Sequence, residues 1–267
     1  GYYALYANTT GGGNTAIGRY ALYSSTTAAV NTAVGYNALS SSTTASGNVS
    51  VGAYAGDAIT TGSNNVVLGY QALTSATTAG SNVAIGYNAL TSSNAGNNVA
   101  VGAYALEDAT TATQNVAVGR NAALQLTTGN YNTAVGPYAM QNSTTGSSNT
   151  AIGYAAQSNG ITTGSSNTSV GSGAGNDITT GGQNVFVGKD AGANNTTGAY
   201  NTAVGNESLK TGLTNGNRNT CVGSSSGQQY NGSNSVFIGN YCGKDKDSGD
   251  GNTGIGDYAL SSDQNGT

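Results

Sequence analysis

The chain has 267 residues, only 7% of them charged, with seven Lys or Arg, eleven Asp or Glu and a net charge of −4. It contains no histidine, which excludes Ser-His-Asp and Cys-His nucleophile systems and histidine-ligated metals, and its few cations offer no face for a phosphate backbone. No apolar run approaches the roughly 18 residues of a spanning helix, and the opening Gly-Tyr-Tyr-Ala-Leu has no basic or apolar leader pattern.

Leu, Ile, Val and Phe make up only 40 residues, a level at which disorder is suspected, but the small net charge opposes disorder and the arrangement decides the matter. In chain order, a glycine preceded by Ile, Val or Leu recurs at Gly18, Gly35, Gly52, Gly69, Gly86, Gly102, Gly119, Gly136, Gly153, Gly171, Gly188, Gly205, Gly223, Gly239 and Gly256. Gly1 extends the series backwards; eleven of the fifteen intervals are 17 residues, two are 16 and two are 18. Residues 1–267 therefore read as one repeat array of about 16 coils, without a domain boundary.

Each unit approximates Asn-Thr-Ala-Val-Gly-Tyr-Asn-Ala-Leu followed by a Thr-Thr-Gly turn, as at Thr144-Thr145-Gly146. Its first position is Asn at Asn14, Asn31, Asn48, Asn65, Asn82, Asn98, Asn115, Asn132, Asn149, Asn167, Asn184, Asn201, Asn219 and Asn252, with Ser235 the exception. The second position is Thr or Val, the fourth Ile, Val or Leu, and the third usually Ala. Side chains alternate along a strand, so the β-branched second and fourth positions predict a buried pleated face. The small third position then predicts close packing on the opposite side. The glycine suits a turn needing positive φ or close backbone approach.

The apolar spacing of a helix is absent, and glycine and β-branched residues oppose one. The expectation is an all-β fold: a parallel β-solenoid or β-roll, one coil per 17-residue repeat, with the position-one asparagines stacked as a ladder. At about 4.8 Å per coil, sixteen coils would make a rod on the order of 75 Å long. A thin lone roll has little to bury, so side-by-side packing of identical chains, as a homotrimer, is expected; a self-sufficient monomeric solenoid is the alternative. Neither end reads as a polar cap, which suggests a window from a longer fibrous protein whose anchoring or tip domains lie elsewhere.

Asn-Thr-Ala-Val-Gly-Tyr-Asn-Ala-Leu (31–39) and Asn-Val-Ala-Ile-Gly-Tyr-Asn-Ala-Leu (82–90) resemble the head repeats of YadA-type trimeric autotransporter adhesins. They are more similar still to the related repeats of bacteriophage tail fibres. This resemblance covers essentially the whole chain. It implies a left-handed parallel β-roll, a homotrimer and an extracellular attachment role. The autotransporter repeat is typically shorter, and the regular unit with Thr-Thr-Gly favours the phage type.

Several side chains invite a functional reading. Tyr36, Tyr54, Tyr70, Tyr87 and Tyr104 follow the turn glycine by one or two residues; stacked aromatics that stiffen the array are the preferred reading, and a stripe for stacking sugar rings is the alternative. Cys221 and Cys242 replace small residues at packed positions and are expected as free buried thiols. The charge-dense stretch Lys244–Asp250 fits a solvated turn better than a calcium loop. Glu107 and Glu207 would lie roughly 30 Å apart at the coil spacing, too far for a glycosidase pair. No catalytic residue, cofactor or metal is expected. Asn-x-Ser/Thr sequences such as Asn142-Ser143-Thr144 follow from composition alone.

The expected function is the structural shaft of an extracellular trimeric fibre for host or surface attachment, a viral tail fibre in the first instance. Its partners are other copies of itself and a cell-surface receptor or glycan engaged outside this chain, with no nucleic acid and no membrane span. The alternatives are a bacterial adhesin head that binds matrix or glycans along its side, and an ice-binding solenoid. The last is disfavoured because adjacent threonines point to opposite sides.

Overall fold

A computed structural model describes residues 1–211, 215–245 and 249–261. Part of the stretch weighed as a calcium loop (246–248) and the closing segment 262–267 fall outside the described residues. Among those described, every regular element is a β-strand and none is a helix. The chain is a parallel β-solenoid, described below as two compact units, Gly1–Tyr131 and Asn132–Thr267.

The first unit carries β1 (Thr15–Ile17), β2 (Thr32–Val34), β3 (Val49–Val51), β4 (Val66–Leu68), β5 (Val83–Ile85), β6 (Val99–Val101) and β7 (Val116–Val118). The second carries β8 (Thr133–Val135), β9 (Thr150–Ile152), β10 (Thr168–Val170), β11 (Val185–Val187), β12 (Thr202–Val204), β13 (Thr220–Val222), β14 (Val236–Ile238) and β15 (Thr253–Ile255). Within each unit consecutive strands pair in parallel and in register, so that Ala33 faces Ser50 and Ser169 faces Phe186. Each strand is the second to fourth position of its repeat.

Between strands the chain turns on left-handed residues. After β2 these are Gly35 (φ 143°), Asn37 (57°), Leu39 (51°) and Gly47 (71°). Gly35 and Asn37 donate backwards to the carbonyls of Ile17 and Arg19 at 2.8 and 3.0 Å, while Leu39 and Ser41 donate forwards to Ala55 and Asp57, each at 3.1 Å. Left-handed backbone is unfavourable for leucine, so this conformation is held by bonds to the coils on either side. At the strand-ending glycine no side chain fits: a Cβ on Gly52 would sit 2.5 Å from the Gly69 carbonyl oxygen.

The strand alternation has the opposite sense from the sequence expectation. From β2 onward, third-position side chains point into the coil and are buried, among them Ala33, Val67, Ala117, Phe186 and Phe237. The second and fourth positions face outward, with Leu68 45% and Ile17 59% exposed. A preference for β-branched residues fits any pleated surface, and within one chain it does not say which face is covered.

Where all three are described, the lumen is filled by a trade among three inward positions of a coil: the strand centre, the residue four after the glycine, and the residue seven after it. In the coil of β2 these are Ala33, Leu39 and Ser42, and the leucine fills the space. In the coils of β3 and β10 the fourth-after position is Gly56 or Gly175, and Ile59 or Ile178 fills instead. In the coil of β7, Leu126 fills beside Ala117 and Ala123. Phe186 and Phe237 fill from the strand centre, opposite Gly192 and Gly243, where an added Cβ would lie 2.6 Å from the ring. Close packing thus fixes the summed volume and leaves open which position supplies it. Gln157 is an awkward filler, fully buried with neither amide atom hydrogen-bonded.

Candidate functional site

The asparagines form the expected ladder and are almost all fully buried. In the first unit the Oδ1 of Asn14 accepts the Asn31 backbone N–H at 2.9 Å, Asn31 serves Asn48 at 2.9 Å, and Asn48 serves Asn65 at 2.9 Å. Each Nδ2 also donates to a turn carbonyl of the next coil, as from Asn31 to Ala45 (2.8 Å) and from Asn98 to Ala112 (2.8 Å). The second unit repeats the pattern from Asn149 on Asn132 (2.9 Å) to Asn219 on Asn201 (3.0 Å). Buried amides satisfied on both sides hold the register of every coil.

The exception, Ser235, is repaired by a residue that sequence reasoning missed. Ser235 still donates its backbone N–H to Asn219 Oδ1 (3.1 Å), and its Oγ accepts the Asn252 N–H (2.9 Å). The bond an asparagine amide would give to the turn carbonyl of Gly249 comes instead from the hydroxyl of buried Tyr230, which also pairs with Ser235 Oγ at 2.7 Å. Together Ser235 and Tyr230 reproduce one asparagine. The break in the asparagine series was the available signal.

Two of the exposed surfaces run from coil to coil with large side chains. One is the strand face, a double column of Val, Thr, Ile and Leu. The other is the corner after each strand-ending glycine, where the first unit carries a tyrosine ladder. Its ring centroids are separated by 6.4 Å (Tyr20–Tyr36), 5.3 Å (Tyr36–Tyr54), 6.2 Å (Tyr54–Tyr70), 5.7 Å (Tyr70–Tyr87) and 5.2 Å (Tyr87–Tyr104). Most pairs meet edge to face; Tyr70 and Tyr87 are stacked. Tyr36, Tyr70 and Tyr87 are exposed, whereas Tyr54 and Tyr104 are half-buried. Tyr20, Tyr54 and Tyr104 take φ of 58°, 60° and 61°. A left-handed residue other than Gly or Asn costs about 1–2 kcal/mol, and a ring pair returns about 0.5–1.5 kcal/mol. Ring packing therefore roughly offsets the strain and leaves no clear surplus.

In the second unit the ladder is reduced to the pairs Tyr138–Tyr154 (5.8 Å) and Tyr241–Tyr258 (5.0 Å). Two of the intervening corners carry charge, at Lys189-Asp190 and at Glu207: Lys210 Nζ lies 2.9 Å from Glu207 and 3.3 Å from Asp190, and Gln228 donates to Glu207 at 2.8 Å. The Lys210 ammonium holds the Glu207 carboxyl below its ordinary range. In the first unit burial raises Asp57, whose Oδ1 has no partner. Burial also raises Glu107, which accepts a 3.4 Å bond from Asn88. Glu107 belongs to the first unit and Glu207 to the second, and neither lines a cleft.

Cys221 and Cys242 are buried free thiols, both pushed upward by desolvation. Among the described residues there is no pocket and no group of three metal-capable side chains. Compared with family models, with curated proteins and with solved structures, the chain finds no match.

Proposed function

We propose that the chain is a structural shaft segment of an extracellular homotrimeric fibre used for host or surface attachment, most closely a viral tail fibre, with left-handed coils. The observation that carries this reading is the exposed strand face. Each strand of the first unit presents two outward β-branched or aliphatic side chains in register with those of its neighbours, from Thr15 and Ile17 to Val116 and Val118. The face contains no charged residue, and a continuous apolar surface of this kind marks an interaction site.

Covering a side chain that is 40% exposed, as Val66 is, contributes about 1 kcal/mol. Association costs on the order of 4–15 kcal/mol in lost freedom, so many stacked coils are needed to hold chains together. A long array supplies them. Three chains turning this face to a common axis bury both columns of each, and the role is mechanical rather than catalytic.

Mass measurement of the intact assembly tests the reading. It should report three chains of 26.1 kDa each, and placing lysine at Val83 and Val99 should release monomers that keep their β-sheet circular dichroism. A native chain that stays a 26.1 kDa monomer at micromolar concentration would sink it.

A further inference from the structure

We propose that the tyrosine ladder of the first unit is a binding surface for an extended, uncharged glycan whose sugar rings lie along Tyr20, Tyr36, Tyr54, Tyr70, Tyr87 and Tyr104. The inference does not depend on the trimer.

The second unit provides an internal control. Its coils make the same left-handed corner at Gly173 (φ 68°), Asp190 (54°), Glu207 (55°) and Ser225 (52°) without any aromatic residue. The corner therefore does not require tyrosine. Left-handed backbone also disfavours it at Tyr20, Tyr54 and Tyr104, yet the first unit places a ring on one corner after another. Exposed rings in excess of what folding needs point to recognition, since an aromatic face with a polar tip suits surfaces that are partly apolar and partly hydroxylated.

The groups around the ladder narrow the ligand. Asn37 and Gln71 occupy left-handed corner positions beside the rings and carry amides that pair with hydroxyls. Asp57 shares a coil with Tyr54, and Glu107 accepts the amide of Asn88, the residue after Tyr87, at 3.4 Å. Arg19 lies over the Tyr20 ring at 4.7 Å, at one end of the ladder, whereas the carboxylates beside the later rungs disfavour polyuronates and nucleic-acid phosphates. Rungs repeating once per coil match a polymer with a short repeat better than the irregular surface of a folded protein.

Electrophoresis of the full chain through gels containing a β-1,4-glucan, a galactomannan, a starch-type α-glucan or an anionic polyuronate tests the proposal. The expected result is retardation by at least one neutral polysaccharide, and weaker retardation by the polyuronate. The triple variant Tyr36→Ser, Tyr70→Ser, Tyr87→Ser should lose about tenfold or more in affinity, by the size of ring contacts, with the mass of the assembly unchanged. Serine already stands at this position in the coils of β10 and β13, as Ser172 and Ser224. Any of three results overturns the proposal: no retardation of the native chain by the neutral glycans, equal retardation of native chain and variant, or stronger retardation by the polyuronate. A change in assembly mass on removing the rings also overturns it, by making the ladder a contact between chains.

Discussion

The two units are built from one coil but fill it and dress it differently. In the first, leucine fills most lumens, five of the seven strands begin with valine, and the corners carry tyrosine. In the second, six of the eight strands begin with threonine, Phe186, Phe237 and Tyr230 take over as fillers, and the middle corners carry serine and glycine or lysine, aspartate and glutamate in place of tyrosine. Asparagine, with its one Ser235–Tyr230 substitute, and the strand-ending glycine are what both units keep. The backbone of this solenoid is therefore set by one amide ladder and one position without a side chain. Lumen, face and corner are free to vary so long as lumen volume is conserved.

The strongest way to break that comparison is to convert a second-unit lumen into a first-unit one. Phe186→Ala alone should cost about 3–5 kcal/mol through the cavity it leaves. Gly192→Leu alone should cost about 1–3 kcal/mol or more, because the new side chain enters the space of the ring. Combined, they recreate the Ala33–Leu39 arrangement of the β2 coil, and most of both losses should be recovered. Chemical denaturation of the four proteins reads the coupling directly. Additive losses would show that volume exchange is not what permits the two fillings.

A smaller effect should separate the two ways of completing the ladder. Asn48→Ser in the first unit lacks a tyrosine to replace the lost amide and leaves the Gly62 carbonyl without its donor, which should cost about 1–3 kcal/mol. In the second unit, Tyr230→Ile should be destabilising on its own. Adding Ser235→Asn restores the amide beside an isoleucine of the kind already present as Ile59 and Ile178, so the double variant should regain native stability. If Ser235→Asn does nothing for Tyr230→Ile, the hydroxyl is merely a filler.

The period, the glycine corner and the asparagine ladder were legible in the sequence because stacking repeats the same physical demand at every coil. The sense of the strand alternation was not. Thr15 and Ile17 satisfy a rule for pleated surfaces whether the covering comes from their own chain or from elsewhere, and Ala16 between them reads as small for either reason. The trade between Phe186 and Gly192 becomes visible only once both are known to share one lumen. Tyr230 escaped because it acts once, in a single coil, and a singular repair leaves no periodic trace. The tyrosine corner was legible as a stripe, but by sequence alone stiffening was the favoured reading over sugar binding. Its absence from the middle corners of the second unit is what tells against a purely structural role.

The finest distinction between the units is electrostatic, and it runs in opposite directions with pH. Asp57 in the first unit is raised above its ordinary value of 3.8 by burial. A raised carboxyl favours the folded state when protonated, so its contribution is present at low pH and is lost as pH rises through the folded value. Glu207 in the second unit is lowered from 4.5 by the hydrogen bond from Lys210. It stabilises above that ordinary value, and the contribution is lost as pH falls through the lowered one. Asp57→Asn should therefore slow amide exchange in the β3 coil at neutral pH, with the gain disappearing under acid conditions where the native carboxyl is itself protonated. Glu207→Gln should quicken exchange in the β12 coil at neutral pH, and the difference should close on acidification. Both effects are small, since each group reaches solvent, and hydrogen exchange resolved by coil is the measurement able to see them. Changes of the same sign in the two coils would mean that bulk charge, rather than these two local environments, governs the response.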